Sequence, residues 1–455
     1  MLHTSSIVGL TAAVTALGLI VNAIFKSTGL NKKNGFPNAP WNWPIIGQTF
    51  WFFQGTGPFA HILRSRGNTD AINCTVLGID QLFMVSPEAM KWAGMKGPGS
   101  AISSLLLPRW DRLVGMKSLA ITEDPQMHKQ LRHVFGLSIS KDTLERRLNH
   151  MLWPFTFNAI IFFIFGSRAK DVEIVQANMD NFQVWMAGLS DIFIPEFMKG
   201  PYCKAMAAKK KLTKILLDIL KERRDGMAAD NDEQEPDGLN KILFSNGGEA
   251  LTDEVVIDNI AVMIFAGHET STSTISSCIH FWANVMASDE KDLLNQEIEN
   301  ANEGTMAELL ALPVLDAFVK EVLRIATPAT GMLRKLNQDA ELCGHKLSAG
   351  TILTLPYGTL MYNPDVFENP HTFTVHRFLN KSAQDLKKHA YSYLPFGIGP
   401  RQCIGMNLAR LEIKIFMFEL LKSYVVIKSN KPSKFVGWPS LVFKPSVKIL
   451  PIKEQ

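Results

Sequence analysis

Apolar positions along this chain fall into three long runs and several short ones, and their lengths and periods set the expected elements. The first run, from Ser6 to Phe25, carries no charge and holds about 20 mostly apolar residues, enough to span a ~30 Å hydrocarbon core. No Lys or Arg precedes it, while Lys26, Lys32 and Lys33 follow, so the positive-inside rule places the rest of the chain in the cytosol. A cleaved signal peptide would want its positive charge ahead of the apolar core. The second run, from Val255 to Val285, begins just after Thr252, Asp253 and Glu254, a cap with acids in the first turn, and predicts a helix of roughly 30 residues and ~45 Å. In the third, Leu315, Val319, Val322 and Leu323 repeat at helical spacing behind Pro313, and Pro328 forbids much continuation. Phe83-Met84-Val85 and Ile352-Leu353-Thr354-Leu355 are apolar or β-branched runs bounded by turn residues, and predict short strands. Polar punctuation is sparse. Asp230, Asp232, Glu233, Glu235 and Asp237 mark the stretch from Ala228 to Asp237 as an exposed acidic linker.

These runs divide the chain into an anchor at 1–25, a basic and Pro-rich hinge at 26–48, and one large domain at 49–455. The hinge is stiffened by Pro37, Pro40 and Pro44, and its Trp41 and Trp43 suit a membrane interface. With 46% hydrophobic and 20% charged residues, 455 residues can bury a large core. The net charge of +4 is too mild to argue for nucleic acid. Five cysteines, odd in number and widely spaced, suit a reducing compartment without a disulfide framework.

The chemistry concentrates at Cys403, in Phe396-Gly397-Ile398-Gly399-Pro400-Arg401-Gln402-Cys403-Ile404-Gly405. A thiolate that binds iron needs one open face and backbone N–H donors, which tune the iron–sulfur bond. Gly399 and Gly405 let the backbone approach a flat cofactor and adopt turns closed to residues with a Cβ. Arg401 is placed to meet a carboxylate such as a haem propionate, and Phe396 would cover the sulfur. A lone cysteine reads as an ordinary buried thiol, but five fixed positions within ten residues point to haem ligation.

The loop resembles the haem-binding loop of the cytochrome P-450 superfamily, the haem-thiolate monooxygenases. That resemblance implies a mainly α fold with small β-sheets, a single N-terminal transmembrane helix and haem b with Cys403 as axial ligand. Three more segments are similar to landmarks of that family. Glu321-Val322-Leu323-Arg324 sets Glu321 and Arg324 on one helical face, where the resemblance implies a structural triad with Arg377. Arg377 lies in Phe373-Thr374-Val375-His376-Arg377-Phe378, which has Val375 and His376 where the family commonly has Pro and an acid. Ala266-Gly267-His268-Glu269-Thr270-Ser271 resembles the oxygen-side helix. Gly267, which costs about 1 kcal/mol mid-helix against Ala, would leave room for dioxygen, and Glu269 and Thr270 would guide protons. Met127-His128-Lys129-Gln130-Leu131-Arg132 puts His128 and Arg132 on one helical face as propionate partners, with His where Trp is common. Arg334 resembles a further propionate ligand on a strand.

The resemblance further implies two electrons from an NADPH-dependent reductase, with Lys387, Lys388, Arg410 and Lys414 as a basic docking face. It implies a hydrophobic small-molecule substrate within walls drawn from Gly99 to Leu107, Met263 to Ala266, Thr330 to Met332 and Trp438 to Leu441, including Leu105, Met263, Ala266, Met332 and Leu441. The texture of residues 266–270 and 156–158 is similar to the plant branch that oxidises sterols, triterpenoids and diterpenoid hormones, and the expected location is the endoplasmic reticulum membrane. The run Thr156 to Gly166 resembles a helix ending in the family's Phe-Gly landmark, yet the segment between Arg132 and Thr156 is about one helix short. The alternatives are a haem-thiolate isomerase or dehydratase, and a non-catalytic haem or ligand binder. The retained Glu269 and Thr270 speak against the first; only the short segment motivates the second.

Overall fold

The computed structural model describes residues 34–452 apart from 41–47, 49–55, 65–66, 68, 77, 107–109, 139–154, 167, 191–199, 230–236, 245–250, 302–305, 380, 382–384, 386–389, 429–432, 437–441 and 445–446. In chain order the elements are α1 (Thr56–Arg64), β1 (Ala71–Val76), β2 (Ile79–Met84), α2 (Pro87–Gly94), β3 (Ile102–Leu105), α3 (Trp110–Val114), α4 (Pro125–Ser138), α5 (Phe155–Phe165), α6 (Ala169–Ala177), α7 (Met179–Ala187), α8 (Pro201–Ala229) and α9 (Gly238–Phe244). Then follow α10 (Asp253–Asn284), α11 (Ser288–Asn300), α12 (Met306–Ala311), α13 (Pro313–Ile325), β4 (Met332–Leu336), β5 (Ala340–Leu342), β6 (His345–Leu347), β7 (Ile352–Leu355), α14 (Tyr357–Leu360), α15 (Met406–Ser423), β8 (Tyr424–Lys428), β9 (Lys434–Val436), β10 (Val442–Lys444) and β11 (Val447–Pro451). The mainly α composition with small sheets is as expected. The anchor segment lies outside the described residues, among which no helix is long and apolar enough to cross a membrane.

The chain forms two compact units, 1–103 with 329–372 and 383–400, and 104–328 with 373–382 and 401–455. The first holds the main sheet, in the order β1-β2-β7-β4-β3. β1 and β2 are an antiparallel pair with Ala71 opposite Met84, β2 runs parallel to β7 with Leu82 opposite Leu353, and β4 pairs antiparallel with β7 with Arg334 opposite Leu353. β2 and β7 are interior strands, so Leu82, Phe83, Met84, Leu353 and Leu355 are all buried and read as continuous apolar runs rather than alternating ones. Both expected strands are present, with Val85 just past the end of β2. Ser86 starts α2 by accepting the Ala89 N–H, and Pro87 at its first position has no N–H that would be left unpaired.

The second unit is built on α10, 32 residues and about 48 Å long. Thr252 caps it by accepting the Val255 N–H, as its sequence predicts. α5 packs against α10, and its Phe157, Ile161, Phe163, Ile164 and Phe165 are almost wholly removed from water. Among packed helices, one this apolar belongs in the core. α5 ends at Gly166, whose φ of +70° turns the chain where a Cβ would meet the Asp237 side chain at 2.4 Å.

Asp237 corrects the sequence reading. It was expected in an exposed linker, yet it is buried and accepts from Arg223 Nη1 at 2.7 Å. Arg223, on α8, is itself buried and donates to Asp171 at 2.7 Å, Asn240 at 3.1 Å and the Phe165 carbonyl at 3.0 Å. A buried guanidinium requires that neutralisation, because an unpaired internal charge costs several kcal/mol.

Candidate functional site

Within the second unit the thiolate loop runs directly into α15. Gly405, with φ −88°, is the cap position of that helix, and its N–H donates to the Cys403 sulfur. Cys403 is exposed, yet its surroundings are crowded enough that desolvation raises the thiol pKa, with the Gly405 N–H and Arg132 partly offsetting this. Arg132 on α4 donates to the Gln402 carbonyl at 2.8 Å, so its guanidinium holds the residue next to the sulfur. His128, one turn earlier, is buried, and desolvation followed by the positive charges of Arg401 and Arg132 depresses its pKa to about 4. It is therefore neutral at physiological pH.

Arg401 is held by the segment before α4. Its side chain donates to the Leu119, Ala120 and Thr122 carbonyls at 3.4, 3.1 and 2.7 Å and to Glu123 Oε1 at 2.7 Å. A guanidinium so engaged ties the thiolate loop to the segment before α4.

On α10, Met263 is half-buried against the core and Ala266 is exposed. The Thr270 hydroxyl donates to the Ala266 carbonyl at 2.6 Å, and Thr274 Oγ1 donates to the Thr270 carbonyl at 2.9 Å. These are i to i−4 back-bonds, which bend and loosen a helix locally. Burial raises the Glu269 pKa, so this carboxyl keeps its proton to higher pH than an exposed one. Gly267 faces α5. A Cβ there would stand 3.0 Å from Ile160 Cδ1 and Cγ1, so its missing side chain admits α5. His268, which sequence reasoning passed over, reinforces the same packing. Its Nδ1 lies 2.8 Å from Thr156 Oγ1, and its ring meets Phe157 edge-on at 5.5 Å.

Behind these elements Glu321, Arg324 and Arg377 meet. Arg324 Nε and Nη2 donate to Glu321 at 2.8 and 2.9 Å, both side chains wholly buried, and Arg377 Nε donates to Glu321 Oε1 at 3.1 Å. The residue that fixes the Arg377 turn is Glu290, which accepts from Thr374 Oγ1 at 2.5 Å and Val375 N–H at 3.0 Å. Nothing local in the sequence links Glu290 to position 375, 85 residues away.

Lys414 cannot serve a docking face. Its Nζ is buried, 2.7 Å from Asp316 Oδ1 and 2.9 Å from the Leu310 carbonyl, because α15 turns that side inward. Lys387, Lys388, Leu441 and the segment from Leu144 to Trp153 lie outside the described residues. Leu105 is half-buried at the end of β3.

In the first unit, Arg334 on β4 is buried and donates to the Leu333 carbonyl at 3.1 Å. Its positive charge partly offsets the burial that raises the Tyr357 pKa. A Cβ on Gly397, at φ +73°, would come 3.3 Å from the Tyr357 hydroxyl, so Tyr357, unmarked in the sequence, shapes the loop. Gly399 has the expected turn conformation at φ +71°, but its close approach is to the Gly94 carbonyl at 2.3 Å from a hypothetical Cβ. Phe396 is half-buried and Met332 is exposed, its sulfur 3.9 Å from the Tyr357 hydroxyl.

The residues around Cys403 fit a haem thiolate. Cys403 is exposed, its sulfur receives a backbone N–H and faces a cation, and a Cβ on Gly405 would find only open space within 4 Å. Residues 133–451 match the family model described as cytochrome P450. The chain is 24% identical over 428 residues to abscisic acid 8'-hydroxylase 1 of Arabidopsis thaliana, covering 87% of this chain and 86% of that one. It is 23% identical over 445 residues to ent-kaurenoic acid oxidase 2 of the same plant, covering 88% and 87%. Among solved structures it is similar to a retinoic acid-bound cyanobacterial CYP120A1, with a TM-score of 0.74 and 23% identity over 92% of this chain and 100% of the other.

Proposed function

Because the chain belongs to the cytochrome P450 family and is a monooxygenase that holds haem through a cysteine thiolate, we propose that it hydroxylates a hydrophobic, isoprenoid-class substrate with electrons passed from NADPH by a membrane-bound reductase. Bound haem supplies reductive activation of dioxygen and transfer of one oxygen atom to a C–H bond.

The chain's own residues do the rest. Cys403 is the proposed ligand, with the Gly405 N–H restraining the sulfur's electron density and Arg132 offsetting its charge. Arg132 and neutral His128 are assigned to the propionates as donors. Thr270 holds its hydroxyl against the Ala266 carbonyl, where it can accept one proton and release another, and Glu269, whose carboxyl burial shifts to higher pKa, is the proposed donor. Met263, Ala266 and Leu105 are proposed to meet the substrate. The assignment of Phe396, Arg334, Met332 and Leu441 rests on the sequence resemblance alone. Residues 1–25 are proposed as an uncleaved anchor in the endoplasmic reticulum membrane.

The observation that carries the ligand assignment is the exposed Cys403, its sulfur under the Gly405 N–H and near Arg132. The substrate class is supported by the plant-branch texture of residues 266–270 and by relatives named as a hydroxylase of abscisic acid and an oxidase of ent-kaurenoic acid. The test is the reduced carbon monoxide difference spectrum. A strongly red-shifted Soret band is expected for the wild type and its loss for Cys403→Ala; persistence of the band in the variant would remove the ligand assignment. NADPH consumption with added reductase and candidate terpenoids then tests turnover and class.

A further inference from the structure

α10 is soft at the turn that carries Thr270. The Thr270, Thr274 and Ser277 hydroxyls each donate to the carbonyl four residues back, of Ala266 at 2.6 Å, Thr270 at 2.9 Å and Ser273 at 2.9 Å. Every such bond competes for a carbonyl that the helix ladder also uses, and repeated along one stretch they let a helix bend. Gly267, within the same stretch, adds backbone freedom. A helix loosened in this way depends on its neighbours for a single shape.

The neighbour is α5, and its grip is polar. Thr156 Oγ1, in the first turn of α5, lies 2.8 Å from His268 Nδ1 and 2.7 Å from Thr272 Oγ1, and the Thr272 hydroxyl lies 3.4 Å from the same ring nitrogen. His268 and Thr272 are one turn apart, so both face the one threonine. Two residues advance about 200° around a helix, which sets the stripe of Ala266, Thr270 and Thr274 on the side of α10 away from that contact. The triangle is also shut in, because Thr156 is buried and Phe157 meets the imidazole edge-on at 5.5 Å. Apart from Asn158, the rest of α5 is apolar. Apolar contact has no direction, so by itself it would let α10 rotate or slide in small steps, whereas hydrogen bonds demand a distance and an angle. Gly267 brings the two helices near enough for those bonds, since any Cβ there would crowd Ile160. Apolar groups of the same shape would hold this core about as firmly, so what the triangle adds is register.

We propose that His268 is a positioning residue: clasped with Thr272 onto Thr156 of α5, it holds the turn of α10 that carries Thr270 and so fixes where the Thr270 hydroxyl stands. The consequence for oxygen chemistry rests on the role proposed above for Thr270; the clasp itself does not.

Two measurements on the full-length, haem-loaded chain keep these apart. The first is backbone hydrogen–deuterium exchange. Thr156→Val keeps the shape, lies outside α10 and removes the shared hydroxyl, so exchange across Gly267–Thr274 should quicken about tenfold, as expected for one or two lost hydrogen bonds, while Asp253–Ala261 stays unchanged. His268→Leu should do the same. His268→Asn offers an amide oxygen or nitrogen near the place of Nδ1 and should return exchange to within about twofold of the wild type. The second measurement mixes dithionite-reduced protein with oxygenated buffer in a stopped flow and follows the return of the ferric spectrum. Return should be severalfold faster for Thr156→Val and His268→Leu than for the wild type or His268→Asn, with no further acceleration when Thr270→Ala is already present. Unchanged exchange in Thr156→Val overturns the proposal, as does faster exchange spread along the whole of α10, or failure of His268→Asn to restore it. Local loosening without a change in reoxidation, when Thr270→Ala alone does change it, also overturns it. If Thr270→Ala leaves reoxidation untouched, the proposed role of Thr270 falls and exchange alone decides the clasp.

Discussion

Glu412 offers a quantitative test of how the two helices that flank the thiolate are joined. It lies on α15, wholly buried, and faces Ser271 of α10, the residue after Thr270. No hydrogen bond of good geometry reaches either carboxyl oxygen, and desolvation raises its pKa to about 8, with Ser271 offsetting only part of the effect. The sign follows from linkage. Between the unfolded value of 4.5 and the folded value, the unfolded chain releases a proton that the folded chain retains, so stability falls as pH rises through this window. The gap of some 3.5 units corresponds to about 5 kcal/mol in all, and to about 2 kcal/mol between pH 6 and pH 8. Glu412→Gln keeps the shape and removes the titration. Thermal unfolding of the haem-loaded wild type and variant at matched scan rate should show the wild type losing roughly 2 °C more than the variant between pH 6 and pH 8. Every other titrating group is common to both proteins and cancels in the comparison. Parallel pH profiles would mean that Glu412 is ionised in the folded state, and the reasoning about its burial would be wrong.

Further outcomes follow from the same packing. Glu321→Gln leaves Arg324 buried without its anion and should destabilise the second unit by about 3–5 kcal/mol; a loss under 1 kcal/mol by denaturant titration would refute the buried-triad geometry. Gly267→Ala gains helix propensity of about 1 kcal/mol but presses on Ile160, so its effect should depend strongly on whether position 160 is Ile or Val, with a coupling above about 0.5 kcal/mol in a double-mutant cycle. Strict additivity there would show that Gly267 serves some purpose other than packing. Lys414→Met should lower stability by about 1–3 kcal/mol through the loss of its buried pair with Asp316. It should leave reductase affinity unchanged, and a weakened reductase complex would return Lys414 to the docking surface.

Much of this molecule is written in short-range patterns. The runs behind Thr252 and Pro313 contain their own start and stop signals and a period of about 3.6, so α10 and α13 form where those signals place them. The thiolate loop is equally local, because glycine, cysteine and arginine at fixed offsets are demanded by a turn and a ligand that lie within ten residues. What the pattern could not supply was the direction each side chain faces once helices from distant parts of the chain pack together. Arg401 and a propionate ligand look alike in sequence, but the fold brings Glu123 and three carbonyls to that guanidinium. Lys414 reads as a surface charge until α15 turns it onto Asp316, and Asp237 reads as a linker acid until Arg223 draws it inside. Gly267 looks like space for a ligand, whereas Ile160 occupies the place its side chain would take. By itself the sequence determined the fold class, the principal helices and the use of a haem thiolate, because those depend on residue type and local period. Tertiary structure alone decided which charges are buried, which glycines serve packing and which lysines remain for a partner, because each depends on neighbours tens to hundreds of residues away whose fields and volumes no local pattern encodes.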